Sequence, residues 1–484
     1  MKRLFLAFVA TFTIGIPLAS CGFIDVDTIH PNHKAILYVQ EQGIVQGYSD
    51  GTFKPNAEIN RAEFTKIIME ATYPGQTLPD DCFKDVESKD WFADFVCNAK
   101  EKGIVSGYKD GTFQPAANIN FAEAAKIINT AYGYEYTKTD IWFEGYVRNL
   151  GARSAIPTSI NNFSKKITRG EMAEMIYRIK TGTTTKSSAT YSQIKDGTVV
   201  AVSDVKSNVP LNEIISGGPV KDGIPSIDEP VFVSANKASK FVTDQTLGIL
   251  LKNGSETKFY PYNILNWHTI VNDTVDGKQL TITYDPLTAS AMVFDRTINS
   301  QVYDFGTSGK LYQSNLIIYD RQTESYWSQI LARAIAGELI DYKLIIYPSS
   351  IAKFSQVKNI AGLKVLSTET GYTRDYQSNP YLDYQSKNGL LFPVSNTDDR
   401  LSDKTLVFAV EIGGQQKAYV YNDLLEVDTL QDTFNGKTLR ISVNPSTNQI
   451  LVIDSAQNRY TGYTTFWFAW AAQHPNGSLW KIGS

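Results

Sequence analysis

A loop pattern near the start of the chain returns sixty positions later. Residues 43–55 read GIVQGYSDGTFKP, and residues 103–115 read GIVSGYKDGTFQP. A repeat of this period indicates a supersecondary unit that cannot bury its apolar face alone, so neighbouring units must share a core. The chain is therefore predicted to begin with stacked repeats, which more often bind or display something than catalyse a reaction.

Each repeat is predicted to fold as helix, tight turn and helix. The loops contain Asp50-Gly51 and Asp110-Gly111, which are turn dipeptides. Residues 60–63 and 120–123 place an asparagine three residues before a glutamate, which is the spacing of a capping box. Apolar residues then follow at i, i+3, i+4 and i+7, so each loop should lead into a capped amphipathic helix.

A third and more divergent repeat follows the first two. Residues 167–171 read ITRGE and match the earlier helix starts, and methionines and isoleucines continue at helical spacing up to Ile179. The DGTF loop is missing from this copy. The sequence thus predicts an all-α helix-loop-helix bundle of three units, at about 23–75, 83–135 and 140–181.

Length and charge limit the remaining possibilities. At 484 residues the chain exceeds a single core and should be multidomain. The net charge of −4 lacks the basic excess that neutralises phosphates, so no nucleic acid partner is expected. No cofactor or metal motif is found, and none is predicted.

The first 21 residues read as an export signal. Lys2-Arg3 supplies the positive end, and the apolar run at 4–18 is shorter than the roughly 20 residues of a membrane span. Residues 18–21, LASC, resemble the lipobox of bacterial lipoproteins. That resemblance implies lipidation of Cys21 and a membrane anchor; the alternative is an ordinary signal peptide with an incidental cysteine.

The three cysteines fit an exported protein. Cys82 and Cys97 are predicted to form a disulfide, closing a loop whose stabilisation is roughly 3 kcal/mol. A metal pair is less favoured because no histidine or further cysteine lies nearby in the sequence. Cys21 is then the unpaired residue that lipidation would explain.

The repeats carry a family resemblance. Residues 23–26 and 83–86, the two GYxDGTFxP loops, and the NRAE and TRGE helix starts resemble surface-layer homology domains, from residue 23 to about 181. That family attaches exported proteins to the bacterial cell wall, typically by holding pyruvylated secondary wall polysaccharide in grooves between three units. The resemblance implies polysaccharide-binding roles for residues of the loops and helix starts: Arg61, Glu63, Arg169, Glu171, Asp50 and Asp110.

The two arginines suit an anionic sugar on physical grounds as well. A helix N-terminus offers free N–H groups, and the planar fork of an arginine matches a carboxylate. Phe121 replaces the arginine in the second repeat, so at least one groove should be weak or altered. For Arg61 and Arg169 the alternative is a solvated charge beside a cap, and Asp50 and Asp110 are favoured as turn formers over ligands.

Residues 182–222 are rich in Thr, Ser, Gly and Pro and are interpreted as a linker. A second repeat follows within residues 223–484, at an offset of 159 positions: Tyr260 corresponds to Tyr419 and Asp273 to Asp432. No gap is needed across about fifty positions. Alternating apolar residues beside DG and NG turns predict β-hairpins, so this region should be a β-rich α+β domain with an internal duplication, copies at about 246–367 and 405–484.

Residues present in one copy only are the better functional candidates. The first copy has Trp267 and His268, and an extension over 305–346, that the second copy lacks. A pocket is predicted to be built from residues of the first copy: Trp267, His268, Asp285, Lys310, Tyr312, Arg321 and Trp327. His268 is favoured as a hydrogen-bonded structural residue, because no nucleophile elbow accompanies it.

This region resembles the family called domain of unknown function 3179, over about residues 220–484. The matching segments are DGIP at 222–225, ILNWHTIVND at 264–273, YDRQTES at 319–325 and FWFAW at 466–470. The resemblance implies no settled activity. Members commonly carry CPLC where this chain has DPLT at 285–288, so any thiol chemistry of relatives is in doubt here.

The preferred interpretation is an exported cell-surface protein, anchored to the cell wall by its repeats and to the membrane if Cys21 is lipidated. Its wall partner would be a polysaccharide, and its C-terminal domain would be displayed for an unknown task. Whether that domain is an enzyme is left open, with a non-enzyme favoured. The alternative is an extracytoplasmic enzyme or metal- or ligand-binding module built around His268, Asp285 and residues 310–327.

Overall fold

A computed structural model describes residues 22–75, 82–200 and 205–483. The predicted signal segment and Cys21 lie outside these residues. The chain divides into two compact units, 1–204 and 205–484, which we call the helical unit and the C-terminal unit. Within the described part of the chain, no helix combines the length and apolar character needed to cross a membrane.

The helical unit contains three pairs of helices. They are α1 (His33–Glu41) and α2 (Arg61–Thr72), α3 (Ala93–Glu101) and α4 (Phe121–Ala131), and α5 (Glu144–Ala152) and α6 (Arg169–Thr181). One continuous apolar core joins all three pairs, and its buried members include Phe53, Phe64, Phe113 and Phe121. Because the second helix of each pair is apolar along one side, no pair could bury that surface alone.

Backbone hydrogen bonds close the three pairs into a ring. The amide of Ile59 donates to the carbonyl of Ile167 at 3.1 Å, Ile167 donates to Ile119 at 3.2 Å, and Ile119 donates to Ile59 at 3.1 Å. All three isoleucines are fully buried. Each lies just before the second helix of its pair, so the ring brings the start of that helix against a neighbouring pair.

The predicted helix caps are present. Asn60, Asn120 and Thr168 accept a hydrogen bond from the backbone of the glutamate three residues later. The glutamates of α4 and α6 return the bond, which completes a capping box in each helix. At α2 only the first of these two bonds forms, and the carboxylate of Glu63 contacts Arg169 instead.

The predicted disulfide between Cys82 and Cys97 is confirmed, with the two Cα atoms 5.2 Å apart. It ties the segment before α3 to the helix itself. The crosslink restricts the unfolded chain and so favours the folded state.

The segment predicted as a linker contains ordered structure. Helix α7 (Tyr191–Asp196) packs Tyr191 and Ile194 into the core of the helical unit. Lys186 lies 2.8 Å from the buried carboxylate of Glu174. Strand β1 (Ile214–Ser216) belongs to a sheet of the C-terminal unit. Composition indicated a loose tether because Ser, Thr and Gly dominate, but a few apolar and charged residues are enough to attach both ends.

The C-terminal unit is rich in strands. Up to residue 302 these are β1, β2 (Phe232–Ser234), β3 (Leu247–Asn253), β4 (Glu256–Pro261), β5 (Ile270–Val275), β6 (Lys278–Asp285), β7 (Ser290–Asp295), β8 (Thr297–Ile298) and β9 (Gln301–Val302). Then follow β10 (Phe305–Tyr312), β11 (Asn315–Asp320), β12 (Tyr326–Ser328), β13 (Arg333–Ala336), β14 (Ile345–Ile346), β15 (Ser350–Lys353) and β16 (Lys364–Leu366). The last are β17 (Leu406–Ile412), β18 (Gln415–Val420), β19 (Thr429–Phe434), β20 (Lys437–Val443), β21 (Ile450–Asp454), β22 (Arg459–Tyr460), β23 (Gly462–Phe466) and β24 (Ser478–Trp480).

Short helices connect these strands: α8 (Ala235–Ala238), α9 (Tyr262–His268), α10 (Phe354–Val357), α11 (Leu382–Ser386), α12 (Tyr421–Val427) and α13 (Trp467–Gln473). The strands form a five-stranded sheet β15-β3-β4-β16-β2, a second β1-β10-β11-β12-β13, and a four-stranded sheet β19-β20-β21-β22. An eight-stranded sheet runs β24-β18-β17-β23-β7-β6-β5, with β14 also paired to β7, and β8 pairs with β9. The unit is therefore a β-rich α+β structure.

Two sets of four strands have the same neighbours in the same order, β15-β3-β4-β16 and β23-β17-β18-β24. Their registers also agree. Leu250 pairs with Phe259, and Ala409 pairs with Ala418, each 159 positions further along the chain. The three-stranded sets β5-β6-β7 and β19-β20-β21 agree in the same way.

The two sets differ in what lies between their last hairpin and their final strands. After β7 the chain forms β8 to β14, whereas after β21 it forms the short β22 alone. The strands β10 to β13 form a sheet with β1, and Trp327 and Phe305 are fully buried in the core beside it. This is the extension that the sequence places at 305–346.

Candidate functional site

A groove in the helical unit is bordered by residues of all three helix pairs. It holds about 220 Å³ of water-accessible space. Its walls are the backbone of the loop 43–48, the α2 side chains Glu63, Lys66, Ile67 and Glu70, Trp91 from the second pair, and Arg169 from the third. We call it the Arg169 groove.

Arg169 is held rigidly at this groove. Its Nε donates to the carbonyl oxygen of Phe53 at 2.8 Å, and its Nη1 lies 3.4 Å from the carboxylate of Glu63. The guanidinium lies 4.7 Å from the Tyr48 ring centre and 4.9 Å from that of Phe53. Two rings and one carbonyl therefore fix the orientation of the charged fork.

Arg61 has equivalent contacts one pair further on. Its Nε donates to the carbonyl of Phe113 at 3.0 Å, and its Nη1 lies 3.3 Å from Glu123. The ring centres of Tyr108 and Phe113 are each 4.9 Å away. Tyr108 also donates its hydroxyl to Glu123 at 3.1 Å.

Both arginines thus reach into a neighbouring pair. The sequence did not predict which glutamate each arginine meets; the structure pairs Arg61 with Glu123. Glu63 is brought together with Arg169 instead. Glu123 and the two loop tyrosines were missed, although each belongs to a repeated motif, because a single repeat does not show which neighbour it faces.

The third position of the ring holds Phe121, which is fully buried. The nearby capping glutamate, Glu171, accepts a hydrogen bond from Ser159 at 2.6 Å and forms an ion pair with Lys165. Glu171 is itself buried. The carboxylate of Glu171 is thus already bound by Lys165 and Ser159, so this position differs from the two that carry an arginine.

Asp50 and Asp110 stabilise their own loops. Each accepts hydrogen bonds from the backbone and hydroxyl of the threonine two residues later. The Thr52 hydroxyl, followed by its amide, lowers the pKa of Asp50 below its ordinary value. Neither aspartate borders the Arg169 groove.

A second pair of loop aspartates was missed by sequence reasoning. Asp25 accepts from the amides of Phe53 and Lys54, both at 2.7 Å, and Asp85 accepts from the corresponding amides of the second pair. The repeated Phe-x-Asp-Val segments were the available signal. These carboxylates hold the GYxDGTF loops in place.

In the C-terminal unit His268 is buried and bonded at both ring nitrogens. Its Nδ1 lies 2.9 Å from the carbonyl of Pro225, and its Nε2 lies 2.7 Å from the hydroxyl of Tyr376. Because a carbonyl can only accept, Nδ1 donates, and in the neutral imidazole Nε2 accepts from the tyrosine hydroxyl. Burial lowers the pKa of His268. The expected structural hydrogen-bonding pattern is present.

Asp285 is the centre of a different, fully buried polar cluster. Its carboxylate accepts from the amides of Leu287 and Leu316, the hydroxyl of Thr288 at 2.8 Å and the side-chain amide of Asn315 at 3.0 Å. Burial raises the pKa of Asp285, whereas these four hydrogen bonds act in the opposite direction. The cluster joins the end of β6 to the β10–β11 hairpin.

The other predicted pocket residues have separate partners. Trp327 donates to Asp320 in the core, Trp267 donates to the carbonyl of Ser378, and Arg321 pairs with Asp228 at 2.6 Å. Lys310 and Tyr312 lie on β10 opposite β1. The contacts of the seven residues thus do not converge on one centre, because the extension folds into its own sheet.

No metal centre is formed by the described residues: across 22–75, 82–200 and 205–483, no group of three or more His, Cys, Asp or Glu is arranged to hold a metal ion.

Two family models match the chain. The S-layer homology domain matches residues 22–65 and 83–125, which include the first helix and the start of the second helix in each of the first two pairs. The model described as protein of unknown function (DUF3179) matches residues 221–477, more than half of the chain.

Several curated proteins are similar to part of the chain. The middle cell wall protein of Brevibacillus brevis is 31% identical over 147 residues, covering 30% of this chain and 14% of that protein. The surface layer protein of Brevibacillus choshinensis is 35% identical over 133 residues, or 27% of this chain and 12% of that protein. The cellulosome-anchoring protein of Acetivibrio thermocellus is 35% identical over 116 residues, or 23% of this chain and 26% of that protein.

These matches cover 12–26% of the relatives' lengths and 23–30% of this chain. The DUF3179 model, in contrast, accounts for most of the C-terminal unit. The chain therefore belongs to the DUF3179 family of proteins of unknown function and has S-layer homology domains in its N-terminal region.

Proposed function

We propose that this is an exported cell-surface protein whose helical unit anchors it to the cell wall by binding an anionic, pyruvylated wall polysaccharide. The observation that carries the proposal is the Arg169 groove, where a fixed guanidinium faces a partly open space. The printed names of the similar proteins refer to the cell wall, the surface layer and cellulosome anchoring, and they support the same assignment.

The contacts in the groove suit a sugar that carries a carboxylate. The Arg169–Glu63 contact is long, at 3.4 Å, and the Glu63 side chain is 24% exposed. A ligand carboxylate that accepts both N–H groups of the fork would outcompete this single contact. Lys66 adds a second cation on the same wall, and the half-exposed ring of Trp91 provides an apolar face for a sugar ring.

We further infer that the three helix pairs are three S-layer homology units, the third having diverged. Their ring of isoleucine hydrogen bonds and their matching caps support this reading. The C-terminal unit is interpreted as an internal duplication, supported by the shared strand order and register at an offset of 159. Wall binding is assigned first to the Arg169 groove, second to the Arg61 position, and not to the Phe121 position.

Sedimentation with isolated cell walls tests the anchoring proposal. The chain from residue 22 onward should pellet with the walls, and R169A should reduce the affinity about 10- to 100-fold, as expected for the loss of one charge-assisted bidentate contact. R61A should have a smaller effect and the double variant the largest.

The control is R148A, which removes an exposed arginine that pairs with Glu144 on α5. It should pellet like the unchanged chain. Equal sedimentation of R61A/R169A and R148A would exclude the groove assignment. Chemical removal of the pyruvyl groups from the walls should abolish binding of the unchanged chain, and persistence of binding would contradict the proposed ligand.

For the C-terminal unit we propose display as a binding or structural module. The separate hydrogen-bonding partners of His268, Asp285 and Arg321 support this over an active site. A thermal-shift screen of metals and sugars is the test, because a ligand that binds only the folded state raises its melting temperature. Turnover that disappears in H268A or D285A with the fold retained would favour the enzyme alternative.

The lipid anchor at Cys21 is a separate proposal that rests on the LASC sequence alone. Mass spectrometry of the N-terminal peptide from the native host is the test. A diacylated cysteine is expected, and an unmodified N-terminus at or after residue 21 would exclude the anchor.

A further inference from the structure

Two lysine–aspartate pairs occupy equivalent places in the two halves of the C-terminal unit. Lys258 on β4 lies 2.9 Å from Asp273 on β5. Lys417 on β18 lies 2.6 Å from Asp432 on β19. Each pair joins strands of two different sheets. The residues of the second pair follow those of the first by 159 positions in the chain.

The first pair is held in contact geometry. Lys258 Nζ lies 3.1 Å from Oδ1 and 2.9 Å from Oδ2 of Asp273, so the carboxyl carbon between them is within van der Waals reach of the nitrogen. Both residues are at least 94% buried, and the ring of Phe232 covers Nζ at 4.3 Å.

Two further hydrogen-bond donors contact the carboxyl oxygens of Asp273. Tyr260 donates its hydroxyl to Oδ2 of Asp273 at 2.6 Å, and the amide of Thr274 donates to Oδ1 at 2.7 Å. Burial raises the pKa of Tyr260, so its hydroxyl keeps its proton. Such fixed donors polarise the carbonyl and stabilise the oxyanion that an attacking amine would create.

A third carboxylate distinguishes the two halves. Oε2 of Glu256, two residues before Lys258 on β4, lies 3.8 Å from Nζ. A hydrogen bond from Lys364 and another from the amide of Asp276 lower the pKa of Glu256, so it is ionised and takes up a proton only transiently. At the equivalent position the second half has Gln415, which cannot take up a proton.

We propose that Lys258 and Asp273 join through an isopeptide bond that forms without a further enzyme, and that Lys417 and Asp432 remain an ion pair. Glu256 relays a proton from the Lys258 ammonium to the Asp273 carboxylate. The neutral amine then attacks Cγ of Asp273 and forms the C–N bond. Glu256 moves a second proton from this nitrogen to the departing oxygen, the C–O bond breaks, and one water leaves.

The step balances without an oxidant, a cofactor or a co-reactant: an ammonium and a carboxylate become one amide and one water. The reacting atoms are held together by the fold, which replaces the encounter of two separate molecules. The product would tie β4 of the five-stranded sheet to β5 of the eight-stranded sheet across α9. The modification is independent of the proposed wall binding.

Tryptic digestion of the full chain gives a direct test. If Lys258 is free, trypsin cleaves after it and releases the peptides 253–258 and 259–278. If the bond has formed, that cleavage is blocked, and a single 253–278 peptide appears with a mass about 18 Da below its sequence value, the loss of one water. The second half is an internal control, because cleavage after Lys417 should give the ordinary peptides 405–417 and 418–437.

Cleavage after Lys258 in the unchanged protein, with peptides of full mass, would overturn the proposal on its own. In E256Q the cleavage at Lys258 should return while far-UV circular dichroism stays the same. A 253–278 peptide lacking one water in both the unchanged chain and E256Q would overturn the part assigned to Glu256. Loss of water at Lys417 would overturn the distinction between the two halves.

Discussion

The helical unit and the C-terminal unit both repeat a pair of opposite charges, but the surroundings of the pairs differ. In the helical unit Arg169 meets Glu63 at 3.4 Å, and the carboxylate is 24% exposed. In the C-terminal unit Lys417 meets Asp432 at 2.6 Å, and the carboxylate is 13% exposed. Solvent reaches the first carboxylate more readily than the second. This difference agrees with the proposed binding role of the helical unit and with a structural role for the pair in the C-terminal unit.

The largest expected effect concerns a buried carboxylate that has no counterpart in the second half of the C-terminal unit. D285A should destabilise the unit by about 3–5 kcal/mol, because two amides, a hydroxyl and an asparagine lose their buried acceptor together. Urea unfolding followed by tryptophan fluorescence measures this. The control is N444A at the equivalent position, where the side chain is exposed, and it should cost less than about 1 kcal/mol. Equal losses would show that burial does not separate the two halves.

The comparison between the units can be tested by removing one charge from each. K417M should cost about 2–4 kcal/mol, because Asp432 is left enclosed without its cation. R169M should cost about 1–2 kcal/mol, since water reaches Glu63 while the methionine retains part of the packing. Separate denaturation midpoints of the two units would supply both values, and a larger loss for R169M would reverse the comparison.

Acidification should affect the C-terminal unit through its buried histidines. Burial lowers the pKa of His474 to about 4, and burial also lowers that of His268. In the unfolded chain these histidines take up a proton near pH 6.5, whereas in the folded chain they stay neutral there. Their contribution to the free energy of unfolding is therefore complete above pH 6.5 and declines as the pH falls below it. At pH 5 the contribution of His474 should be reduced by about 1–2 kcal/mol.

Melting of the C-terminal unit between pH 7 and pH 5 is the measurement, and H474Q is the control that should flatten the profile. This window lies above the ordinary titration of carboxylates, so Asp432 and Asp454, whose pKa values are lowered, contribute little to it. An unchanged profile in H474Q would show that the histidine is not responsible.

Much of the helical unit could be predicted from the sequence because its signals are local. The caps at Asn60 and Asn120, the apolar spacing after them and the Cys82–Cys97 pairing depend on residues close together in the chain. The partners of Arg61 and Arg169 depend instead on how the pairs close into a ring. The sequence of a single repeat does not predict which neighbouring pair its second helix will contact.

The predicted pocket of the C-terminal unit shows the opposite case. Comparing the two predicted copies placed an extension at 305–346, a range in which the structure has β10 to β14. It could not show that Trp327 would turn into the core or that Asp285 would be enclosed by Asn315 and Thr288. The contact between Asp285 and Asn315 joins residues 30 positions apart. In the sequence, a buried structural carboxylate and a catalytic one look alike.

The smallest expected effect separates two aspartates that accept hydrogen bonds from the same loop. Asp85 accepts from the amides of Phe113 at 2.7 Å and Gln114 at 2.8 Å, so D85A should destabilise the helical unit by about 1 kcal/mol, the net value of hydrogen bonds to a charged group near solvent. The carboxylate of Asp110 accepts from Thr112 within its own turn and is exposed, so D110A should unfold at nearly the same temperature as the unchanged chain. Thermal melting of both variants side by side measures the difference. A greater loss in D110A would mean that the turn, and not the carboxylate reaching it from the preceding segment, holds the loop that carries Tyr108 to Arg61.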